Sequence, residues 1–415
     1  MIYESSISFA KKADLDDPLK KFRDKFHMPQ YMGEDMIYFA GNSLGLMPKI
    51  SNSAVSNELE IWAKTGVVGQ HNRWVDYHKH LTQSTATIVG AKPKEVVVMN
   101  ALTINLHLLM ISFYQPTPKK NKVIIEHGAF PSDQYAVESQ IRFHGYDPND
   151  ALIELRPRKG EACLRTKDII DTFNQHGDSI ATVIIGSVNY YTGQAFEIEK
   201  ITKAAHNVGA IVAIDLAHGA GNLDLDLHNW EVDFAVWCSY KYLCGGPGSP
   251  GGVFVHEKHE NWDGPRFNGW WGNKKTTRFI MESKFDPIVG AEGWQISNAP
   301  ILAMACLRSS MAIFSDAGMP AIINKSKKLT GYLEYLVGSL RNKIKIITPK
   351  DSKQRGAQLS LVVKKNAKEV FNGLNSNHII CDWREPDVIR VAPVPLYNSF
   401  VDVYRFYEIV KDLTK

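Results

Sequence analysis

The stretch CSYKYLCGGPG at residues 238–248 decides how this sequence folds and what chemistry it can support. Lys241 lies between the apolar run FAVW at residues 234–237, which is typical of a buried strand, and a glycine-rich turn. A second fragment, AIDLAH at residues 213–218, also follows an apolar run, and its Asp215 precedes Lys241 by 26 residues. Both polar side chains are therefore expected at the ends of buried strands.

A lysine and an aspartate at strand ends are what an enzyme that uses pyridoxal phosphate (PLP) needs. The lysine amine forms a Schiff base with the cofactor aldehyde, and the carboxylate keeps the pyridine nitrogen protonated. Each residue also has a simpler interpretation: Lys241 as a surface lysine, Asp215 as a helix N-cap and His218 as a buried structural histidine. Taken together, the three favour a PLP site, in which His218 supports the ring or the phosphate.

Short apolar runs and polar stretches of helical length alternate through the middle of the chain. The apolar runs lie at residues 123–125, 181–185, 210–214, 234–237 and 252–255, and the helical stretches at 166–176 and 197–208. This alternation predicts an α/β fold with a mostly parallel sheet flanked by helices. Ligands of such sheets bind at the carboxyl ends of the strands, where Asp215 and Lys241 are expected.

The last third of the chain has a different pattern, which predicts a smaller α+β domain. Helices are expected at residues 301–314, 326–340 and 400–413, and strands at 358–363 and 388–391. We therefore predict three parts: residues 1–60, an N-terminal segment packing with the small domain; 61–300, the large PLP-binding domain; and 301–415, the small domain.

The composition argues against several other classes of protein. The 415 residues carry a net charge of only +4, without the runs of like charge that nucleic-acid binding favours. Five cysteines include no CxxC pair, so neither a disulfide framework nor a metal site is expected. The amino terminus lacks a leader pattern, and no apolar run approaches the roughly 20 residues of a membrane span. We expect a cytoplasmic protein that binds no nucleic acid, membrane or metal.

Other polar and aromatic residues lie where a cofactor or substrate would need them. Thr103 opens a helix whose backbone N–H groups suit a phosphate, although it could simply cap that helix. Phe130 could stack on a planar ring or belong to the core, and Asp133 shares its turn. Trp270 could donate to a phosphate oxygen or simply pack. Arg390 could clamp a substrate carboxylate or be a solvated edge-strand residue.

With these residues in place, the sequence resembles the kynureninases, which are fold-type I PLP enzymes of tryptophan catabolism. The resemblance covers nearly the whole chain. It rests on YFAGNSLGL (38–46), MNALTINLH (99–107), AFPSD (129–133), YTGQ (191–194), DLAH (215–218), CSYKYL (238–243), ISN (296–298) and RVAPVPLYNSF (390–400). It implies hydrolytic cleavage of the Cβ–Cγ bond of kynurenine or 3-hydroxykynurenine, and a homodimer with shared active sites.

The resemblance also implies roles for individual residues. The catalytic residues would be Lys241, which forms the Schiff base and moves a proton, Asp215 and the proton donor Tyr240. The cofactor contacts would be Leu102, Thr103, Phe130, Ser132, Asp133, Ser187, Asp215, His218, Tyr240, Lys241, Trp270 and Asn298. The substrate contacts would be Arg390, which binds the α-carboxylate, together with Asn42, Val67, Ser297 and Asn298. Asn298 would be supplied across the dimer interface.

The chain departs from the animal-type family pattern at several positions around the substrate. Val67, Asn189 and Asn273 stand where those members carry histidine, and Cys244 stands where they carry asparagine. Two other functions therefore stay open: a PLP enzyme acting on another β-substituted amino acid, as cysteine desulfurases do, or a non-catalytic binding protein. A desulfurase needs a mobile cysteine in a loop of the small lobe, for which Cys381 is poorly placed because a strand-like run follows it.

Overall fold

Two lobes, each built around its own β-sheet, make up the chain in a computed structural model that describes residues 2–415. The strands are β1 (Gln30–Tyr31), β2 (Glu34–Asp35), β3 (Ile37–Tyr38), β4 (Val96–Val98), β5 (Lys122–Glu126), β6 (Leu152–Leu155), β7 (Ile180–Gly186), β8 (Ile211–Asp215), β9 (Phe234–Trp237), β10 (Gly252–Val255), β11 (Ile344–Ile346), β12 (Leu359–Val363), β13 (Ile379–Ile380), β14 (Asp382–Arg384) and β15 (Val388–Val391). The helices are α1 (Ile7–Leu15), α2 (Ser51–Thr65), α3 (Val67–Gly69), α4 (Lys79–Val89), α5 (Leu102–Phe113), α6 (Pro131–Phe143), α7 (Pro148–Ala151), α8 (Thr166–His176), α9 (Ile198–Asn207), α10 (Lys275–Arg278), α11 (Ile301–Ala317), α12 (Met319–Gly338), α13 (Ala367–Ser376) and α14 (Phe400–Leu413).

The larger sheet has seven strands in the order β4-β10-β9-β8-β7-β5-β6. Strands β6, β5, β7, β8 and β9 are parallel to one another, whereas β10 is antiparallel to β9 and β4. Successive residues such as Ile124 and Ile125 belong to two different hydrophobic clusters, because both faces of the sheet are covered. The prediction of a mostly parallel α/β sheet is confirmed.

The smaller sheet is antiparallel, with the strand order β11-β12-β15-β14. Its buried residues share a core with α12, α13 and α14, as the pattern of the last third predicts. The N-terminal segment joins this lobe at two places: α1 packs on α14, and β3 pairs in parallel with β13. Parts of the chain nearly 400 residues apart in sequence therefore build one lobe.

Helix α11 packs on the large lobe, which bears on where the two lobes divide. Its residues Met304, Leu307 and Met311 lie in the same hydrophobic cluster as strands of the seven-stranded sheet. Helix α2, which spans the predicted boundary at residue 60, packs against α11. We therefore propose that the small lobe begins at Gly318, the turn between α11 and α12, rather than at residue 301.

Within residues 2–415, no single helix is long and apolar enough to cross a membrane. Only when taken together are helices α11 and α12 long and apolar enough to span a membrane, and they are bent by 82° relative to each other. Both helices contribute buried residues to the protein core.

Candidate active site

Three neighbouring strand ends form one wall of the candidate site. Strands β5, β7 and β8 are adjacent and parallel, so their carboxyl ends meet at one edge of the sheet. Glu126 ends β5, Gly186 ends β7 and Asp215 ends β8, with Gly186 opposite Asp215 in the strand register. The next strand, β9, leads into the segment that carries Lys241. The sheet topology therefore gathers acidic and basic side chains that are far apart in sequence.

These strand ends open into a cavity that contains most of the predicted cofactor contacts. Nine predicted residues line it: Leu102, Thr103, Phe130, Ser132, Asp133, Asp215, His218, Tyr240 and Lys241. The wall also includes residues that the sequence did not single out, namely Glu126, Gly186, Val188, Tyr190, Ala217 and Cys238. Glu126 could have been found from sequence, because it is a carboxylate at the end of an apolar run beside the Asp215 strand.

Lys241 lies beside a neutral imidazole. Its Nζ is 3.2 Å from Nε2 of His218 and 5.6 Å from the ring centre of Phe130. Burial, reinforced by the charge of Lys241, lowers the pKa of His218 well below its usual value. The histidine is therefore uncharged and accepts a hydrogen bond from the amine at Nε2. Its buried Nδ1 has no protein partner and is available to a bound group.

A second part of the cavity is acidic, because the carboxyl groups of Asp215, Asp133 and Glu126 cluster there. Oδ1 of Asp215 accepts a hydrogen bond of 2.5 Å from the backbone N–H of Ala217, which orients the carboxylate. Burial first, and then the charge of Asp215, raise the pKa values of Asp133 and Glu126. Oδ1 of Asp133 is buried without a partner. A cationic ring nitrogen bound beside Asp215 would supply the positive charge that this acidic part of the cavity lacks.

Two helix N-termini meet at a third part of the cavity. Helix α5 begins at Leu102 and α6 at Pro131, and neither has a side-chain cap. The hydroxyl of Thr103 is 2.7 Å from that of Ser132 rather than capping its own helix. Uncapped N–H groups and hydroxyls suit an anion such as a phosphate. The residues present therefore fit PLP at each of its three ends: aldehyde, ring nitrogen and phosphate.

Arg390 is a buried residue rather than a solvated one, with only 1% of its surface exposed. It donates hydrogen bonds to the carbonyl of Tyr190 (2.9 Å) and the hydroxyl of Ser43 (3.0 Å), and it forms an ion pair with Asp382. Its Nε is buried and has no partner. Because Tyr190 lines the cavity, its hydrogen bond places the guanidinium of Arg390, a residue of the small lobe, next to the cavity.

The remaining predicted residues do not line the cavity in a single chain. Val67 is 69% exposed and Trp270 is 47% exposed, with the indole N–H donating to the carbonyl of Arg278 (2.9 Å) rather than facing a phosphate site. Ser297 and Asn298 are also exposed. Two others are buried nearby: Asn42 donates to the side-chain oxygen of Gln358 (2.8 Å), and the hydroxyl of Ser187 has no partner.

The residues that replace family histidines and asparagine have local structural contacts. Oδ1 of Asn189 accepts hydrogen bonds from the N–H groups of a turn at residues 191–192, and Oδ1 of Asn273 accepts one from the N–H of Asp286 (2.7 Å). Cys244 is buried with φ of 53°. Cys381 is buried as well, which does not fit the mobile cysteine that a desulfurase needs.

Comparison with known proteins decides the family. The chain is 55% identical to a kynureninase of Myxococcus xanthus over 99% of this chain and 98% of the relative, and 50% identical to one of Christiangramia forsetii over 99% of both. The chain belongs to the kynureninase family. The family model for the kynureninase C-terminal domain matches residues 322–410, within the small lobe. The resemblance noted from sequence is confirmed.

Solved structures confirm the fold class of the kynureninase-family chain. An apo cysteine desulfurase from Thermococcus onnurineus superimposes with a TM-score of 0.76 at 17% identity, covering 100% of this chain and 99% of the other. A cysteine desulfurase from Escherichia coli gives a TM-score of 0.76 at 15% identity, over 95% and 98%. At such identities the likeness concerns the fold alone, which is that of fold-type I PLP enzymes. Kynureninases are PLP-dependent hydrolases of tryptophan catabolism, so the chain is an enzyme of that class.

Proposed function

We propose that the protein hydrolyses the Cβ–Cγ bond of L-kynurenine or 3-hydroxy-L-kynurenine, and that the cavity around Lys241 is where it does so. The products are anthranilate or 3-hydroxyanthranilate and L-alanine, and the hydroxylated product would feed NAD biosynthesis. One observation carries the assignment of the site: Lys241, Asp215 and two uncapped helix N-termini line a single cavity. The family relatives supply the reaction.

Different residues of the cavity would hold different parts of the cofactor. Bound PLP supplies an aldehyde for an amino group and a ring that accepts negative charge when a bond of the amino acid breaks. Lys241 would provide the amine that anchors PLP, and the same amine, when free, would take up the proton that leaves Cα of the substrate. Neutral His218 accepts a hydrogen bond from that amine and so orients it. Asp215 would hold a positive charge at the ring nitrogen, and Thr103 and Ser132 would bind the phosphate.

Arg390 binds the α-carboxylate of the substrate. Its Nη1 is fixed by the carbonyl of Tyr190, and Asp382 balances its charge while the cavity is empty. A substrate carboxylate would pair with the guanidinium as the carboxylate of Asp382 does. Because the orientation of the guanidinium is already set, less entropy is lost on binding. Asn42 adds a buried amide oxygen without a partner next to this region, since Arg390 also contacts the neighbouring Ser43.

Tyr240 is the proton donor in this proposal. Burial, followed by the influence of Cys238, raises the pKa of its hydroxyl above the usual value, so the phenol stays protonated at neutral pH. A phenylalanine variant, Tyr240→Phe, keeps the ring and removes only the hydroxyl group that carries the proton. Undiminished turnover by this variant would remove the role, whereas a loss of kcat without a loss of PLP binding supports it.

The active protein is proposed to be a cytoplasmic homodimer with shared sites. Val67, Trp270, Ser297 and Asn298, which the family resemblance assigns to cofactor or substrate, are exposed or half-exposed in the single chain. A second copy of the chain would cover them and bring them to a cavity. All five cysteines are free, which agrees with a reducing compartment.

Parallel incubation with the two substrates tests the reaction. The PLP-loaded protein is given kynurenine or 3-hydroxykynurenine, and alanine and the aromatic amine are quantified. The two products are expected in equal amounts. Turnover of either supports the proposal, and the ratio of the two kcat/KM values reports the effect of Val67 and Asn273 on ring preference. A holoprotein that releases neither product, or that releases sulfide from cysteine, would contradict it.

A further inference from the structure

Glu126 lines the cavity, and none of the roles above uses its carboxyl group. It is the last residue of β5 and only 4% of its surface is exposed. Oε2 accepts a hydrogen bond of 2.9 Å from the backbone N–H of Gly186, the residue opposite Asp215 in the neighbouring strand pair. The carboxyl group is therefore anchored one strand away from Asp215, at the end of the cavity assigned to the ring nitrogen.

The surroundings of Glu126 contain more acidic than basic groups. The titratable or charged groups around it are Asp215 from β8, Asp133 from α6, and Lys241 and His218 elsewhere in the cavity wall. The amide of Asn189 adds a hydrogen bond. The residue after the end of β5, His127, is exposed and pairs with Glu154 and Arg156 at the surface. No cation among these groups contacts Glu126, so its negative charge is not neutralised locally.

This environment makes Glu126 titrate in the physiological range. Burial is the main reason that its pKa is raised, and Asp215 raises it further, while the Gly186 and Asn189 hydrogen bonds lower it; the result is about 7. While the cavity is empty, the carboxyl group is therefore about half ionised at neutral pH. Asp133 differs, since its pKa lies well above the usual value and it shares a hydrogen bond with Asp215.

We propose that Glu126 is a positioning residue that adds or removes one negative charge behind Asp215 as its proton exchanges with solvent, and so sets the charge at the ring-nitrogen end of the cavity. The inference rests on the proposed function, because it uses the place of PLP in this cavity. When Glu126 is ionised, it favours positively charged forms of the bound group. When Glu126 holds its proton, that assistance is absent.

The test follows the absorbance of bound PLP in the holoenzyme as a function of pH. Glu126→Gln keeps an oxygen that accepts from Gly186 and removes only the charge. The midpoint of the absorbance change is expected to fall by about one pH unit in this variant, because a nearby negative charge that held the proton is gone. Glu154→Gln, a partly exposed glutamate on the adjacent strand β6, is the matched control and should leave the midpoint unchanged.

Equal midpoints in the wild type and Glu126→Gln would overturn the inference. If that variant does not fold, wild-type holoenzyme carrying carbon-13-labelled glutamate decides the question by infrared spectroscopy. A protonated glutamic acid band that disappears with a midpoint near pH 7 supports Glu126, since the label excludes Asp133. Absence of that band at about pH 6 would sink the idea. Failure of the proposed function is distinct, because it is measured by product release: wild-type holoenzyme would then release neither alanine nor the aromatic amine, whatever the midpoint of the absorbance change.

Discussion

The cofactor cavity and the exposed segments around Val67 and Trp270 differ in how completely one chain builds them. The cavity is assembled by strand ends and helix starts of the large lobe, and its acidic groups are buried. The exposed segments instead present apolar side chains to solvent, with the rings of Trp270 and Phe279 5.4 Å apart and the ring of His71 6.0 Å from Phe279. Exposed apolar surface of this kind is typical of an interface.

This difference distinguishes binding of the cofactor from recognition of the substrate ring. The topology of one sheet places Asp215 at the end of β8 and Lys241 in the segment that follows the neighbouring strand β9, and the proposed PLP site depends on this arrangement. In the proposed dimer, recognition of the substrate ring would depend on surfaces that the single chain leaves uncovered. Variants inside the cavity should therefore act within one chain, whereas variants at the exposed segments should act on the partner's site. The predictions below test this division.

The largest effect is expected from removing the amine. Lys241→Ala should lower kcat by about a thousandfold or more, because both the anchor of PLP and the proton carrier are lost. The absorbance of the bound cofactor should also change to that of PLP that is not attached to lysine. Lys200→Ala, at an exposed lysine paired with Glu197, is the control. Retained turnover in the first variant would place the chemistry outside the cavity.

The buried carboxyl group of Glu126 should lower the free energy of unfolding of the PLP-free protein as pH rises. The pKa of Glu126 is raised in the folded protein to about 7 from a usual value of 4.5, so its contribution to stability is fully present below about 4.5 and is lost as pH rises through 7. The loss amounts to about 3 kcal/mol, roughly a hundredfold in the unfolding equilibrium. Denaturant unfolding of PLP-free Glu126→Gln should lack this pH dependence. The same slope in both proteins would contradict the prediction.

Arg390→Lys should raise KM by about 10- to 100-fold with a smaller change in kcat, because a point charge replaces a bidentate, oriented donor. Steady-state kinetics with kynurenine check the split. Arg142→Lys on the exposed face of α6 provides the comparison. An unchanged KM would mean that the substrate carboxylate is bound elsewhere.

Mixed dimers test directly whether the exposed segments serve the partner's site. Lys241→Ala and Asn298→Ala subunits, each with little activity alone, are unfolded and refolded together. If Asn298 acts across the interface, one site of each mixed dimer has both residues, and statistical mixing restores about a quarter of wild-type activity. If Asn298 acts within its own chain, mixing restores nothing.

The smallest effect is expected from Val67→His, which restores the histidine common in animal-type members. Because the side chain is 69% exposed, the free energy of unfolding of the monomer should change by less than about 0.5 kcal/mol. The ratio of kcat/KM for 3-hydroxykynurenine over kynurenine should rise by about two- to fivefold, since a ring nitrogen can pair with the hydroxyl. An unchanged ratio would show that position 67 does not contact the substrate ring.

Local patterns were sufficient for several elements. Helix α8 matches its predicted bounds at residues 166–176, and α14 matches at 400–413, where Ser399 and Asp402 form a capping box. Strands β9 and β15 also follow their apolar runs. These elements were predictable because the determining interactions, periodic burial and capping, act between residues close in sequence.

Other features depend on contacts between distant segments. The antiparallel direction of β10 and the packing of α11 on the large lobe have no local signature. The ion pair between Arg390 and Asp382 required the strands β14 and β15 to pair, and it replaces the solvated arginine that the sequence alone left open. Sequence spacing cannot identify such partners, because strand order decides which side chains meet.

By itself, the sequence determined the α/β class, the PLP chemistry and the pair Asp215 and Lys241, since buried strands with polar ends leave recognisable patterns along the chain. Only the tertiary structure decided that Glu126 joins the acidic end of the cavity, that Arg390 is buried beside Asp382, and that Val67 lies on an exposed surface. The physical reason is that burial and charge proximity, which set pKa values and accessibility, arise from packing between segments rather than from the residues of any one segment.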